Sequence, residues 1–270
     1  MSLRIVSALA LAPLPLIAIW FGGAWLALLT ISAATVMAWE WGRLCRGGLG
    51  RDFVPGGVEI ALAAIIIAAV AIAAVGAAAI AIGLSVFGAG IVFWAARQRP
   101  GGQPVWTALG VPWVAVPCIC FLWLGRDAAG GRTILLWLLA VVWATDIGAY
   151  AVGRGVGGPR LAPRWSPRKT WAGLAGGILS AGLAGAAMAL ALRASSVLPL
   201  VVVSAGLAVV AQFGDLAESL AKRRFGVKDT SGLIPGHGGL FDRLDGLLAV
   251  IPVVALMTLV GGQGMFLPWQ

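Results

Sequence analysis

The stretch GVEIALAAIIIAAVAIAAVG, residues 57–76, decides the fold class of this chain. It is as long as the roughly 20 apolar residues that an α-helix needs to cross a bilayer. Similar runs follow one another from Ile5 to Val260. The chain has 270 residues, of which 60% are hydrophobic and only 11% are charged, whereas soluble domains carry about 25% charged residues. We therefore expect an all-α, polytopic integral membrane protein.

The apolar runs predict about nine transmembrane helices within a single membrane domain, residues 1–270. The predicted spans are 5–20, 23–40, 57–76, 78–96, 105–125, 133–153, 171–192, 197–221 and 245–262.

The basic residues predict the orientation of these spans. If the N-terminus is cytoplasmic, all but three of the 19 Lys and Arg residues fall on the cytoplasmic side. The three outside are Arg126, Arg132 and Arg193. This is the asymmetry that the positive-inside rule expects. The net charge of +9 is therefore explained by basic residues in the cytoplasmic loops. No basic helix interleaved with aromatics indicates a nucleic-acid partner.

Acidic residues interrupt several of the predicted spans. Asp146 falls late in the sixth span, and Asp215 and Glu218 fall late in the eighth. A carboxylate inside a span costs about 2.5–3.5 kcal/mol on insertion scales and indicates a functional site. On a helix, Asp215, Glu218, Ser219 and Lys222 share one face because they are spaced i, i+3, i+4 and i+7.

Asp242 and Asp245 open the ninth span with a spacing of i, i+3. A structural interpretation is that they only favour the positive end of a helix dipole. Together with Asp215, however, they make three acids beside several Lys and Arg residues. Mg²⁺ prefers a few carboxylates, retained waters and substrate phosphates, and basic side chains bind phosphate oxygens. The pattern favours metal-assisted phosphoryl chemistry at a membrane surface.

The lysines and glycines point to the same two loops. Only three of the 19 basic residues are lysines, and Lys169, Lys222 and Lys228 all fall in 154–170 or 222–246. Lysine offers phosphate a compact point charge. The segment GLIPGHGGL, residues 232–240, permits backbone with positive φ and a nest of N–H groups for an anion.

These residues resemble the signature of the phosphatidate cytidylyltransferase (CDP-diacylglycerol synthase) family. The spacing is intact over one long motif and a second, shorter one, within residues 146–246. The matching residues are Ser219, Lys222-Arg223, Lys228-Asp229, Ser231, Pro235, His237-Gly238-Gly239 and Asp242-Arg243-Leu244-Asp245, then Asp146, Ala149-Tyr150 and Ser166-Pro167-Arg168-Lys169-Thr170. One departure is Ala172, where the family usually has Glu; another is Ala221, where a larger aliphatic is usual.

The resemblance implies a reaction and a set of roles. CTP and phosphatidic acid would give CDP-diacylglycerol and pyrophosphate, with Mg²⁺ and a K⁺ ion as second cation. The enzyme would be a multi-pass protein of the cell (inner) membrane with its active site at the cytoplasmic face. Residues 1–130 would form the N-terminal helices, and 131–262 the catalytic helices and cytoplasmic loops. The metal ligands would be Asp215, Asp242 and Asp245, catalytic together with Lys222; the substrate-binding residues would be Arg168, Lys169, Ser219, Arg223, Lys228, Asp229, His237 and Arg243.

Several roles stay open at this point. His237 is either a general base or a hydrogen-bonding group in the glycine turn. Asp229 either orients Lys228 or binds the nucleotide, and Asp146 is either a further site acid or a partner of a neighbouring helix. Membrane lipids are the expected environment, and a homodimer is the family expectation.

Other functions are open as well. A weakly active homologue of the same family is one alternative, because of Ala172. Transporters also use intramembrane acids, although they usually show internal repeats, and none is visible here. CDP-alcohol phosphatidyltransferases and lipid kinases are two further enzyme classes. Magnesium-dependent pyrophosphate release from CTP would separate the proposed reaction from all of these except the weak homologue.

Overall fold

The computed structural model describes residues 12–47, 54–126, 130–236 and 238–261. Within these ranges it contains nine helices and one short β-hairpin. The elements are α1 (Pro13–Phe21), α2 (Gly23–Cys45), α3 (Gly57–Ala74), α4 (Ala78–Arg97), α5 (Pro104–Leu124), α6 (Gly130–Gly155), β1 (Arg160–Ala162), β2 (Ser166–Thr170), α7 (Trp171–Ala191), α8 (Leu198–Arg224) and α9 (Phe241–Gly261).

Eight of these helices, α2 to α9, are long and apolar enough to cross a membrane. The all-α, polytopic fold class is thereby confirmed, and the chain is a multi-pass membrane protein. The first predicted span, 5–20, lies partly outside the described residues, and its described part forms α1. The cytoplasmic N-terminus stays a prediction.

The chain divides into two compact units. The first unit consists of residues 1–128 and 224–244, and it contains α1 to α5 with the loop after α8. The second consists of residues 129–223 and 245–270, and it contains α6, the hairpin, α7 and most of α8 and α9. The single membrane domain divided near residue 130 remains a prediction from sequence.

An aromatic cluster forms the core of the first unit. Trp41 of α2 is fully buried, and its ring centroid lies 5.1 Å from that of Trp113 and 5.4 Å from that of Phe241. The Trp41 indole N–H donates to the carbonyl of Trp106, at 2.9 Å. A buried indole generally needs such an acceptor. The cluster therefore connects α2 and α5 to the start of α9.

Small residues form the contact between α6 and α7 in the second unit. A Cβ added at Gly148 would collide with the Ser180 side chain and would lie 2.6 Å from the carbonyl oxygen of Gly176. Helices in membranes often associate through such small residues because their backbones can then approach closely. Trp137 on the same helix α6 donates to Ser204 Oγ at 3.0 Å and connects α6 to α8.

The second unit also contains a two-stranded antiparallel hairpin between α6 and α7. Arg160 pairs with Thr170, and Ala162 pairs with Ser166. Strand β2 leads directly into α7, where the Thr170 hydroxyl accepts a hydrogen bond from the amide of Gly173 at 3.0 Å. This is an N-cap, the contact that satisfies one of the free amides of a helix start. Lys169 directly precedes this cap and therefore lies just ahead of the first turn of α7.

Candidate active site

Three carboxylates come together in the second unit. Asp215 and Glu218 lie on α8 and Asp245 lies on α9, and one oxygen from each lies within 4.8 Å of the others. Glu218 is almost fully buried, whereas Asp215 and Asp245 are partly exposed. Like charges at this distance repel in a low-dielectric surrounding, so the arrangement calls for positive charge between or beside them.

Small side chains allow α8 and α9 to approach closely at this cluster. A Cβ added at Gly214 would lie 2.7 Å from the carbonyl oxygen of Asp245 and 2.6 Å from Ala249 Cβ. On the other side of the contact, a Cβ added at Gly246 would lie 3.3 Å from Ala211 Cβ. Gly214 precedes Asp215, and Gly246 follows Asp245. The close crossing therefore brings the two aspartates together.

Two lysines provide positive charge at the cluster. Lys169 Nζ lies 2.5 Å from Asp215 Oδ2, and Lys222 Nζ lies 2.6 Å from Glu218 Oε2. The hydroxyl of Ser219 donates to Asp215 Oδ1 at 3.3 Å. The contacts confirm that Asp215 and Ser219, like Glu218 and Lys222, are neighbours one turn apart on α8. Three carboxylates and two ammonium groups leave one formal negative charge.

Further charged groups of the second unit lie near the cluster or next in sequence to its lysines. Asp146 and Lys169 are close enough to Asp245 to interact with it electrostatically. Arg168 on β2 and Arg223 at the end of α8 are exposed, and Arg223 Nε donates to the carbonyl of Trp165 at 3.3 Å. Both guanidinium groups are therefore accessible to an anion.

The first unit contains the rest of the predicted site residues. Here Asp242 Oδ2 accepts three hydrogen bonds, from Thr230 N at 2.9 Å, Thr230 Oγ1 at 2.9 Å and Gly239 N at 2.7 Å. Asp242 thus closes the loop between residues 230 and 239, a structural role that its spacing did not predict. Its role as a metal ligand stays a prediction.

The glycine-rich loop has the backbone that its sequence predicts. Gly236 and Gly238 have φ values of +77° and +83°, which L side chains rarely adopt. An isolated bridge joins Ile234 to Gly238, whose carbonyl accepts from Ile234 N at 2.8 Å. Lys228, Asp229 and Arg243 are exposed, while His237 lies outside the described residues.

The sequence prediction left Glu218 out of the metal-binding set. Its spacing already placed it on the face shared with Asp215 and Lys222, and that periodicity was the available signal. A second acid, Glu40 in α2, was not singled out at all. It is fully buried in an apolar helix, and the signal that was overlooked is that a carboxylate within a span is expensive.

The fold and the carboxylate–lysine cluster define the class as a multi-pass helical membrane protein suited to metal-assisted chemistry on phosphates. The model of the cytidylyltransferase family matches residues 2–260. The chain therefore belongs to the cytidylyltransferase family and is an enzyme of the nucleotidyltransferase type.

Two curated relatives are similar to this chain over most of its length, and a third over less than half of it. A phosphatidate cytidylyltransferase of Brucella suis biovar 1 (strain 1330) is 36% identical over 261 residues, covering 96% of this chain and 92% of that protein. One of Pseudomonas aeruginosa (PAO1) is 32% identical over 274 residues, covering 97% and 98%. One of Bacillus subtilis (strain 168) is 42% identical over 127 residues, covering 45% and 46%.

Proposed function

We propose that this chain transfers the cytidylyl group of CTP to phosphatidate, giving CDP-diacylglycerol and pyrophosphate for phospholipid synthesis. The observation that carries the proposal is the cluster of Asp215, Glu218 and Asp245 with two lysines, in a chain similar to phosphatidate cytidylyltransferases over most of its length. We place the reaction at the cytoplasmic face of the cell's inner membrane, where the predicted topology puts the basic loops.

The donor set of the cluster fits Mg²⁺. Carboxylate oxygens are hard ligands, and Mg²⁺ is usually bound by one or two carboxylates together with waters and substrate phosphates. Asp215 and Asp245 would hold the ion, with Glu218 beside them and Asp242 as the further predicted ligand. When bound, Mg²⁺ stabilises the negative charge that develops on the transferring phosphoryl group. A K⁺ ion as second cation and a homodimer are expectations from the family resemblance.

The reaction needs charge neutralisation more than a strong base. The second pKa of a phosphomonoester is about 6, so phosphatidate is largely a dianion at neutral pH. One of its phosphate oxygens attacks the α-phosphorus of CTP and forms a new P–O bond. The bond from that phosphorus to the oxygen bridging to the β-phosphate breaks, and pyrophosphate leaves with that electron pair. His237 is therefore not required as a general base, and hydrogen bonding in the glycine turn is the role we propose for it.

Basic side chains would neutralise the two polyanions. Lys169 and Lys222 pair with carboxylates, and we propose that each ammonium group turns to a phosphate oxygen when substrate and metal bind. Preorganised cations of this kind stabilise charge as it develops in the transition state. The exposed residues with the same proposed task are Arg168, Arg223, Lys228 and Arg243, with Ser219 and Asp229 as further substrate-binding residues.

A direct assay tests this function. The purified full-length protein in detergent micelles is given phosphatidic acid, labelled CTP and Mg²⁺, with and without a chelator. We expect labelled CDP-diacylglycerol and pyrophosphate only when free Mg²⁺ is present. A folded sample that forms neither product, alongside an active control enzyme, would contradict the proposal and favour the weakly active homologue or a transporter.

A further inference from the structure

Glu40 makes contacts that no local pattern predicts. It lies in α2 and is fully buried. Glu40 Oε1 accepts from Ser231 Oγ at 2.6 Å and from Leu240 N at 2.9 Å, and Oε2 accepts from Phe241 N at 2.7 Å. These partners are 191, 200 and 201 positions away in sequence. One carboxylate thus ties a helix of the N-terminal half to both ends of the glycine-rich loop.

A second buried acid in the same unit, Glu59 of α3, has a different kind of partner. Glu59 of α3 accepts from Gly56 N within its own helix start and forms ion pairs with Arg99 at 2.5 Å and with Arg46 at 3.6 Å. Its charge is balanced by arginines, as expected for a structural ion pair. The partners of Glu40 named above are a hydroxyl and two backbone amides, and the amides are those of Phe241, the first residue of α9, and of Leu240 just before it. A carboxylate at a helix start is also favoured by the helix dipole.

Glu40 and Asp242 share the task of holding the loop. Asp242 binds Thr230 and Gly239, and Glu40 binds the residues that directly follow each of them, Ser231 and Leu240. A Cβ added at Gly239 would collide with both Glu40 Oε1 and Thr230 Oγ1. Glycine at 239 therefore leaves the space that the Glu40 carboxylate and the Thr230 hydroxyl occupy.

The buried residues that these hydrogen bonds hold lie next to exposed residues. Thr230, Ser231 and Gly239 to Asp242 are buried or partly buried, whereas Lys228, Asp229 and Arg243 beside them are exposed. Fixing a buried residue also limits the positions that its exposed neighbour can reach. Such limits matter in catalysis, because a misplacement of about 1 Å can cost about 100-fold in rate.

We propose that Glu40 is a positioning residue for cytidylyl transfer. It fixes the segment 228–243 so that Lys228, Asp229 and Arg243 meet the phosphates in one geometry. This inference rests on the proposed function of that segment as a substrate-binding loop. Glu40 does not itself touch substrate, since it is fully buried and acts through Ser231 and the amides at the start of α9.

The test is Glu40→Gln in the full-length enzyme, with Glu59→Gln as the matched control. The glutamine amide has the same shape but presents N–H donors to one of the groups that Glu40 now accepts from, so at least one hydrogen bond is lost. We expect kcat/KM for CTP, per folded molecule, to fall about 10- to 100-fold, by analogy with the loss found when a partner that orients metal ligands is removed. Glu59→Gln should lower the unfolding temperature but leave kcat/KM within about threefold of the wild-type value.

Ser231→Ala is a second variant that tests the same proposal. If Glu40→Gln does not fold, Ser231→Ala removes one of the three Glu40 contacts together with the hydrogen bond that Ser231 Oγ accepts from Leu233 N. We expect a smaller fall of about 3- to 10-fold, in line with the loss of one or two hydrogen bonds. Wild-type kinetic constants in the folded Glu40→Gln enzyme, or in Ser231→Ala where that variant replaces it, would overturn the proposal even if stability falls.

Amide hydrogen exchange separates this proposal from the proposed function. Exchange at residues 230–241 should become faster in Glu40→Gln and stay unchanged in Glu59→Gln, whether or not the protein turns over CTP. If the wild-type protein makes no CDP-diacylglycerol, the proposed function is refuted, and with it a role of Glu40 in cytidylyl transfer; faster exchange in Glu40→Gln would then still show that Glu40 holds the loop. Unchanged exchange would refute the proposal that Glu40 holds the loop, irrespective of activity.

Discussion

The acids of the carboxylate–lysine cluster and the acids that hold the glycine-rich loop have different kinds of partner. In the second unit, Asp215 and Glu218 face the ammonium groups of Lys169 and Lys222. In the first unit, Glu40 and Asp242 accept from backbone amides and hydroxyls. An ammonium group on a flexible stem can be exchanged for a metal ion or turned to a phosphate. Backbone amides are part of the main chain and cannot be exchanged for a ligand in this way. A carboxylate that accepts from them therefore holds the main chain in place.

This comparison predicts which substitutions stop the reaction and which loosen the fold. Changes at the lysine-paired cluster should reduce turnover with little loss of stability. Changes at the amide-bound carboxylates and their glycines should reduce stability and affect turnover through the geometry of the loop. The predictions below are ordered from the largest expected effect to the smallest.

Asp245→Asn should have the largest effect on turnover. The amide keeps the size of the side chain but removes a charged ligand from the cluster. Metal ions supply several kcal/mol of transition-state stabilisation, and each 1.36 kcal/mol is tenfold in rate, so we expect kcat to fall by about 100- to 1,000-fold. Steady-state kinetics over a range of Mg²⁺ concentrations measure this, with the unfolding temperature as a control for folding. Retained activity would remove Asp245 from the metal site.

Lys222→Arg should reduce kcat although it keeps the charge. The Lys222 side chain is 11% exposed and pairs with Glu218, which is 1% exposed. A larger planar guanidinium does not fit a buried site made for a compact ammonium group, and overpacking of this kind costs about 1–3 kcal/mol. We expect about a 10- to 100-fold loss in kcat. Arg224→Lys, a charge-conserving change at an exposed position, is the control. Wild-type kinetics for Lys222→Arg would disprove the requirement for lysine.

Gly239→Ala should destabilise the first unit. The new methyl group would meet the Glu40 carboxylate and the Thr230 hydroxyl, and forcing an extra methyl into a packed site costs about 1–3 kcal/mol. Gly232→Ala in the same loop is the matched control, because a Cβ there meets nothing within 4 Å. Thermal unfolding in detergent compares the two. Equal unfolding temperatures would contradict the close contact between Gly239 and Glu40.

The sequence predicted local features better than long-range ones. Helix spacing was enough to place Asp215, Glu218, Ser219 and Lys222 on one face, and apolar runs near 20 residues were enough to find the spans. The sequence placed Lys169 and Asp215 in one predicted site but did not predict that they pair, since no local pattern connects a loop lysine to a distant helix.

The contacts of Glu40 could not be predicted in this way. Its partners are about 200 positions away, and no periodicity relates α2 to the start of α9. For the same reason, spacing placed Asp242 with Asp245 as a predicted metal ligand but did not predict that its Oδ2 accepts hydrogen bonds from the loop. Two acids at i, i+3 share a helix face, but tertiary contacts decide what each carboxylate binds.

Ala172→Glu should have the smallest effect, and it tests whether the departure from the family pattern weakens the enzyme. Ala172 is the second residue of α7, where a carboxylate favours the helix dipole by about 0.3–1 kcal/mol. The Thr170 hydroxyl already caps the amide of Gly173, so the start of the helix does not depend on that acid. We therefore expect a small rise in unfolding temperature and a kcat/KM within about threefold of the wild-type value. A tenfold or larger gain would instead show that the natural chain lacks a substrate contact, and would identify it as a weakly active member of its family.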